Sequence, residues 1–131
     1  KFDLIMDLDV TSPLRDVSDI RNSYKQFQKE NADVLFSVCK AKKNPYFNMV
    51  ENINGKYQLV KSMKEAPTNR QMAPQVYDMN ASLYIWKREA LMNDKSLFGE
   101  KTSVYIMPGK RSIDIDSQLD WDIVNHIISK K

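Results

Sequence analysis

Short apolar runs and amphipathic segments alternate along the chain. Residues 4–10 and 34–39 are predicted as strands, and the second run is nearly continuous, as in a strand buried on both faces of a partly parallel sheet. Between them, apolar residues recur at helical spacing, at Ile20, Tyr24 and Phe27. Asp16 or Ser18 could cap this helix. The order strand, helix, strand predicts an α/β fold.

Residues 40–78 interrupt this alternation. Three of the five prolines lie in this region, and its apolar runs are short. Asn54-Gly55 stands between the apolar residues of 49–50 and 57–60, which is typical of a type I′ hairpin turn. The region is therefore predicted to leave the main sheet as an excursion that contains a hairpin.

The alternation resumes after residue 80. Strands are predicted over 81–86 and 104–107, with a short helix over 87–93 between them. Ser117 stands three residues before Asp120 and ahead of an amphipathic segment, so it is predicted to cap a final helix.

Composition narrows the class of protein. The chain has 131 residues, of which 42% are hydrophobic and 28% charged, as expected of one small globular domain. Its net charge of +3 is too balanced for a dedicated nucleic-acid binder, and no apolar run approaches the roughly 20 residues of a membrane span. The single cysteine, Cys39, cannot form an intramolecular disulfide. We expect a cytoplasmic protein with no nucleic-acid and no membrane partner. Because the chain begins with Lys1 instead of an initiator Met and enters an apolar strand by residue 4, we also expect it to be part of a longer protein.

Two carboxylates follow the first predicted strand. Asp7 and Asp9 in Asp7-Leu8-Asp9-Val10-Thr11 stand at its carboxyl end, where open α/β sheets bind ligands. An apolar strand followed by Asp-x-Asp-x-Thr is also how haloacid-dehalogenase-type phosphatases begin, with the first Asp as nucleophile and the second as general acid and base. The alternative interpretation is that the carboxylates only cap the next loop.

A second acidic pair lies before the final helix. In Ser112-Ile113-Asp114-Ile115-Asp116-Ser117, alternation on an extended segment would direct Asp114 and Asp116 to one side, about 7 Å apart, and the isoleucines to the core. Two such carboxylates can share Mg²⁺ with phosphate oxygens. The alternative is that Asp116 only favours the start of the helix through the helix dipole.

These motifs belong to longer stretches that resemble one family. The chain is similar to the acylneuraminate cytidylyltransferases, which activate sialic acids and related nonulosonic acids as CMP-sugars. The matching stretches keep the family's order and spacing over most of the chain, at residues 8–15, 33–38, 70–74, 80–85 and 112–120.

The resemblance implies a fold and a reaction. The fold would be that of the nucleotide-diphosphosugar transferases, an α/β/α sandwich around a mainly parallel sheet. Residues 1–131 would form the C-terminal portion of a single cytidylyltransferase domain, and 41–78 its dimerisation arm in a homodimer. The reaction would transfer CMP from CTP to the anomeric hydroxyl of a nonulosonic acid and release pyrophosphate. The family's Gly-rich and basic loop for CTP is not found in this sequence, which has three glycines far apart, so the chain alone is expected to be inactive.

Site residues follow from the same resemblance. Asp114 and Asp116 would hold Mg²⁺ as catalytic residues, and Arg70 would contact the sugar carboxylate or the reacting phosphate. The implied substrate-binding residues are Asp9, Ser12, Arg15, Asn80 and Tyr84.

The sequence departs from the sialic acid enzymes at two of these places. Asp9-Val10 stands where they commonly have Gln-Pro, and Asn80-Ala81 where they have Asn-Gly. These differences indicate a legionaminic-type sugar as the alternative to N-acetylneuraminic acid. A phosphatase that uses Asp7 and Asp9, or a non-catalytic truncated dimerising module, would be the alternative functions.

Overall fold

The computed structural model describes residues 2–65, 67–93 and 96–130. In chain order the elements are β1 (Leu4–Leu8), α1 (Val17–Lys29), β2 (Val34–Lys40), β3 (Val50–Ile53), β4 (Lys56–Leu59), a 3-10 turn (Arg70–Met72), β5 (Tyr77–Lys87), α2 (Arg88–Asn93), β6 (Thr102–Met107), a second 3-10 turn (Gly109–Arg111) and α3 (Gln118–Ser129). By their internal contacts the residues form two compact units, one of 1–39 with 79–131 and the other of 40–78.

The main sheet has the strand order β1-β5-β2-β6. β1 pairs antiparallel with β5, and β2 pairs parallel with β6. The N–H of Lys87 donates to the carbonyl of Asp33 (2.9 Å) and that of Ala41 to the carbonyl of Val76 (3.1 Å), so β2 and β5 run in opposite directions. The α/β class is confirmed, but the prediction of a mainly parallel sheet is wrong for the described strands. The apolar run of β2 reflects a central strand that is covered on both faces, whatever the direction of its neighbours. The sandwich implied by the resemblance stays a prediction.

Helix α1 covers one face of this sheet. The helical spacing predicted from the sequence is confirmed, because Phe27 is buried and Ile20 and Tyr24 pack against the same core. The other buried residues of this cluster are Ala32, Leu35, Leu83 and Ile85, and Leu4, Met6 and Leu8 of β1 pack against it. Asp16 is confirmed as the cap of α1: its side chain accepts from the N–H of Ser18 (2.8 Å).

Strand β1 ends earlier than predicted, at Leu8 instead of residue 10. The side chain of Asp9 accepts the N–H of Thr11 (2.9 Å), which turns the backbone away from the ladder. β5 is longer than predicted and contains Ala81, a non-glycine residue in the left-handed region at φ 52°. Ser117 caps α3 in a capping box with Asp120, as predicted. None of the helices in the described ranges is long and apolar enough to cross a membrane.

The unit of residues 40–78 contains the predicted hairpin. β3 and β4 pair antiparallel, and both central residues of the turn have positive φ, Asn54 at 52° and Gly55 at 84°, as a type I′ turn requires. The side chain of Asn52 accepts the N–H of Gly55 (2.9 Å) and so orders the turn.

Candidate functional site

The structure brings the two acidic motifs of the sequence together. The N–H of Ile115 donates to the carbonyl of Thr11 (3.0 Å), so the acidic segment, residues 112–116, lies against the site loop, residues 9–15, that follows β1. The predicted residues Asp9, Ser12, Arg15, Asp114 and Asp116 all lie in these two stretches.

Asp9 is held as an ionised acceptor. Its Oδ1 accepts from the backbone N–H (2.9 Å) and the hydroxyl (2.8 Å) of Thr11. These hydrogen bonds lower the pKa of Asp9 below its ordinary value. Both go to the same oxygen, so Asp9 caps the loop with one side of its carboxylate, in agreement with the loop-capping interpretation.

Arg15 joins the loop to the sheet. Its guanidinium donates to the carbonyl of Asp9 (3.2 Å), and to the carbonyl and hydroxyl of Ser82 in β5, the latter at 3.1 Å. Through these hydrogen bonds Arg15 connects the residue that follows β1 with β5. Its contact with a substrate stays a prediction. Ser12 is buried, and its hydroxyl has no hydrogen-bond partner among the described residues.

Asn80 connects three parts of the site. Its Oδ1 accepts from the hydroxyl of Ser37 on the central strand (2.7 Å), and its Nδ2 donates to the hydroxyl of Ser112 (2.9 Å). Ser37 in turn accepts from the N–H of Leu83 (2.9 Å). Because Asn80 is buried, these bonds fix the start of the acidic segment relative to β2 and β5.

Tyr84 stands directly opposite Asp7 in the β1–β5 ladder. Burial, and then the charges of Asp7 and Asp9, raise the pKa of the Tyr84 hydroxyl, so it stays a neutral donor at neutral pH. Asp7 itself is exposed. The side chains of Asp7, Asp9 and Tyr84 form a polar cluster beside the end of β1.

The acidic segment differs from the sequence expectation. It is not a strand, and burial does not alternate, because Ile113, Asp114 and Ile115 are all half-buried and Asp116 is exposed. The predicted separation of inward isoleucines from outward carboxylates is therefore wrong. The segment is held instead by its hydrogen bonds to Thr11 and Asn80, which do not require a two-residue repeat.

One carboxylate oxygen of this segment, on Asp114, fits a hard cation. Oδ1 of Asp114 is buried and has no hydrogen-bond partner among the described residues. A buried carboxylate oxygen without a donor is costly, and a cation removes that cost. No group of three or more His, Cys, Asp and Glu suitable for a metal occurs in the described ranges. Mg²⁺ is usually held by one or two carboxylates together with substrate phosphates and water, so Asp114 fits such a site and the part of Asp116 in it stays a prediction.

Arg70 belongs to the unit of residues 40–78. It is exposed at the start of the first 3-10 turn, where Asn69 is the N-cap, and its Nη2 donates to the carbonyl of Ala41 (2.7 Å). This bond orients the guanidinium within its own unit and leaves its predicted catalytic role a prediction.

The sequence analysis missed Asp19 and Arg111. Asp19 is fully buried near the start of α1, and its carboxylate accepts two hydrogen bonds from Arg111. The only local signal was the position of Asp19 three residues after the cap Asp16, where an acidic residue closes a capping box. Its pairing with a residue 92 positions away had no signal in the sequence.

No protein-family model matches the chain. It is 42% identical over 131 residues to a Campylobacter coli protein named post-translational flagellin modification protein B, covering 100% of this chain and 55% of that protein. It is 44% identical over 130 residues to the CMP-N,N'-diacetyllegionaminic acid synthase of Campylobacter jejuni, covering 99% of the chain and 54% of the synthase. An N-acylneuraminate cytidylyltransferase of Streptococcus agalactiae is 26% identical over 121 residues, 92% of this chain and 29% of that protein.

The chain thus spans about half the length of the first two relatives. Two of the three names are those of enzymes that make CMP-sugars, and none supports the phosphatase hypothesis. The resemblance to the acylneuraminate cytidylyltransferases is therefore confirmed, and this chain is related to them in sequence over nearly its whole length.

Proposed function

We propose that this chain is part of a cytidylyltransferase that transfers CMP from CTP to a nonulosonic acid. The observation that carries the proposal is the buried Oδ1 of Asp114, which has no hydrogen-bond partner in the described part of the chain and lies in an acidic segment hydrogen-bonded to the site loop. The sequence relationship to enzymes named as CMP-sugar synthases and cytidylyltransferases supports the same reaction.

In this reaction the anomeric oxygen of the sugar attacks the α-phosphorus of CTP. A new P–O bond forms, the bond to the β-phosphate oxygen breaks, pyrophosphate leaves, and the hydroxyl proton passes to a carboxylate of the acidic segment. Asp114 and Asp116 would hold Mg²⁺, which when bound supplies positive charge against the reacting phosphates. The protein's own contribution is chiefly positioning, because phosphoryl-type transfer needs little covalent chemistry from side chains.

The remaining residues of the site would orient the substrates. Asn80 holds the acidic segment through Ser112, and Tyr84 offers a neutral hydroxyl donor. Asp9 offers an ionised acceptor beside it. The resemblance implies that Arg70, in the unit of residues 40–78, would contact a carboxylate or phosphate of the substrates.

The proposed sugar is of the legionaminic type. Both hydrogen bonds from Thr11 go to Oδ1 of Asp9, so the other oxygen can accept a donor from the sugar, such as the N–H of an amide on its side chain. The relative named as a CMP-N,N'-diacetyllegionaminic acid synthase is 44% identical to the chain, which supports this choice over N-acetylneuraminic acid.

The hairpin unit, residues 41–78, is proposed as a dimerisation arm. Val50, Ile53 and Tyr57 are exposed by 64%, 47% and 75%. A two-stranded hairpin is marginally stable alone, and this apolar surface is available for contact with a second copy. Light scattering of the full-length protein at high micromolar concentration should give the mass of a dimer; the mass of a monomer at that concentration contradicts the proposal.

The activity is tested in a protein where this chain replaces the matching 130 residues of the Campylobacter jejuni relative. We expect pyrophosphate release that requires CTP, sugar and Mg²⁺, and losses of about 100-fold or more in kcat for Asp114→Asn and Asp116→Asn, since charge stabilisation is usually the largest catalytic contribution. Asp122→Asn, an exposed change on α3, is the matched control and should leave kcat unchanged. Full activity and unchanged Mg²⁺ dependence in the first two variants would show that the acidic segment is not the metal site.

Sugar choice has a separate test in the same protein. Competition between N,N'-diacetyllegionaminic and N-acetylneuraminic acids should favour the former. Asp9→Gln should reduce that preference by about tenfold or more, since a polar group that the bound sugar leaves without its hydrogen-bond partner discriminates strongly. A preference for N-acetylneuraminic acid that Asp9→Gln does not change would remove Asp9 as the selector.

A further inference from the structure

Asp19 is a buried carboxylate that the proposed reaction does not use. Its side chain is fully shielded from solvent, and it accepts from Nε of Arg111 at Oδ2 (2.8 Å) and from Nη2 at Oδ1 (2.7 Å). The backbone N–H of Asp16 (2.9 Å) and the hydroxyl of Tyr105 (3.3 Å) donate to the same carboxylate. The Asp19 carboxylate thus accepts four hydrogen bonds, two of them from the bidentate guanidinium of Arg111. A bidentate contact fixes both the position and the orientation of the two side chains.

Asp19 and Arg111 lie close in sequence to the two stretches that form the site, the site loop and the acidic segment. Asp19 lies in the first turn of α1, shortly after the site loop, and Arg111 is the last residue of the second 3-10 turn, directly before the acidic segment. The pair therefore joins the start of the acidic segment to the end of the site loop. The bonds Ile115 to Thr11 and Asn80 to Ser112 hold the same segment further along.

Stability alone does not require a charged pair at this place. Well-packed apolar residues of similar volume commonly give equal or greater stability than a buried ion pair. What an apolar pair cannot supply is the fixed orientation of a bidentate contact. Asp114 lies three residues after Arg111, and its buried Oδ1 has no hydrogen-bond partner within residues 2–65, 67–93 and 96–130. The orientation of this segment therefore decides where that oxygen points.

We propose that Asp19 and Arg111 are positioning residues that hold the acidic segment in the geometry in which Asp114 binds a divalent cation. This inference rests on the proposed function, because it assumes that Asp114 is a metal ligand. Neither residue touches the cation or a substrate. Outer partners of this kind typically change metal affinity by about 10- to 100-fold when they are removed.

The test measures Mn²⁺ binding to the 131-residue chain, from the broadening of amide resonances and from the dissociation constant. We expect broadening centred on residues 112–116, and dissociation constants at least about tenfold weaker in Asp19→Asn and Arg111→Met, with well-dispersed spectra. Arg111→Lys keeps the charge without the bidentate contact and should weaken Mn²⁺ binding by an intermediate amount. If the other two variants do not fold, Arg111→Lys tests the inference in their place. Ile20→Val, a core change next to Asp19 in α1, should lower stability without changing the dissociation constant.

Comparison with Asp114→Asn distinguishes a failure of the proposed metal site from a failure of the proposed positioning role. If Asp114→Asn abolishes Mn²⁺ binding while every folded Asp19 and Arg111 variant binds as tightly as the unmodified chain, the positioning inference is overturned and the metal site of the proposed function stands. If Asp114→Asn itself leaves Mn²⁺ binding unchanged, the metal site and the inference both fail. If Ile20→Val weakens binding as much as Arg111→Met does, the pair acts only through stability and the inference is overturned.

Discussion

Replacement of Asp19 by asparagine should destabilise the fold in a pH-dependent manner. Asparagine keeps the shape of the side chain and an oxygen that can accept the N–H of Asp16, but it places an amide against the donors of Arg111. Removing one partner of a fully buried ion pair costs about 3–5 kcal/mol. The Arg111 side chain is 27% exposed and can regain water on that part, so we expect about 2–3 kcal/mol at pH 7, below the full buried value.

The pH dependence follows from the pKa of the Asp19 carboxyl. Burial alone would raise it, but the hydrogen bonds from Arg111 and from the backbone of Asp16 outweigh burial and place the pKa below its ordinary value. The carboxylate therefore stabilises the fold fully above the unfolded value of about 3.9, and this contribution is lost as the pH falls through the lower value of the folded state. Asparagine does not titrate, so the difference between the two proteins should shrink below about pH 4.

Urea unfolding followed by tryptophan fluorescence, between pH 7 and pH 2.5, measures this difference directly. Asp33→Asn is the matched control, because Asp33 also pairs with a cation, Lys87 at 2.8 Å, but both side chains are more than a third exposed. An exposed pair contributes about 0–1 kcal/mol, so the control should change little. A difference for Asp19→Asn that stays constant down to pH 2.5, or that is no larger than that of Asp33→Asn at pH 7, would refute the reasoning.

Three further substitutions test the backbone and capping geometry by thermal or urea unfolding. Ala81→Gly should stabilise the fold by about 0.5–1 kcal/mol, since the left-handed backbone at φ 52° penalises a Cβ by more than glycine loses in entropy; destabilisation would contradict this. Ser117→Ala should cost about 1 kcal/mol through loss of the α3 cap, and no change would mean that the cap contributes nothing. Gly55→Ala should destabilise the hairpin unit by about 1 kcal/mol because of its φ of 84°, although a Cβ there has open space; a neutral result would exclude backbone strain as the reason for glycine.

The parts of the fold that could be predicted are those whose signals are local. The cap at Asp16, the cap at Ser117 and the turn at Asn54-Gly55 each depend on residues within a few positions of one another, and all three are present. The direction of the strands could not be predicted in the same way. β1 pairs with residues of β5 that lie 75 to 83 positions later, and the apolar run of β2 would be the same beside parallel or antiparallel neighbours.

The candidate site also combines features with a local sequence signal and features that depend on long-range contacts. The acidic stretches could be located from composition and order, but how they are held could not, because Arg15 with Ser82 and Asp19 with Arg111 join residues 67 and 92 positions apart. Long-range polar pairs have no periodicity, and each residue alone is typical of a solvated surface. The resemblance supplied candidate residues without supplying these contacts.

Departures from local preference gather around the two acidic stretches. Ser12 and Asp114 each bury a polar atom that has no partner among the described residues, Ala81 adopts a conformation that suits glycine, and Asp19 is a fully buried charge. Folded chains ordinarily avoid all three features, and where such features persist they tend to cluster at functional sites. Ser12 lies in the site loop, Ala81 directly follows Asn80, and Asp19 orients Arg111 before Asp114. These departures from local preference therefore lie in the same region as the residues to which the resemblance assigns the substrates and the metal.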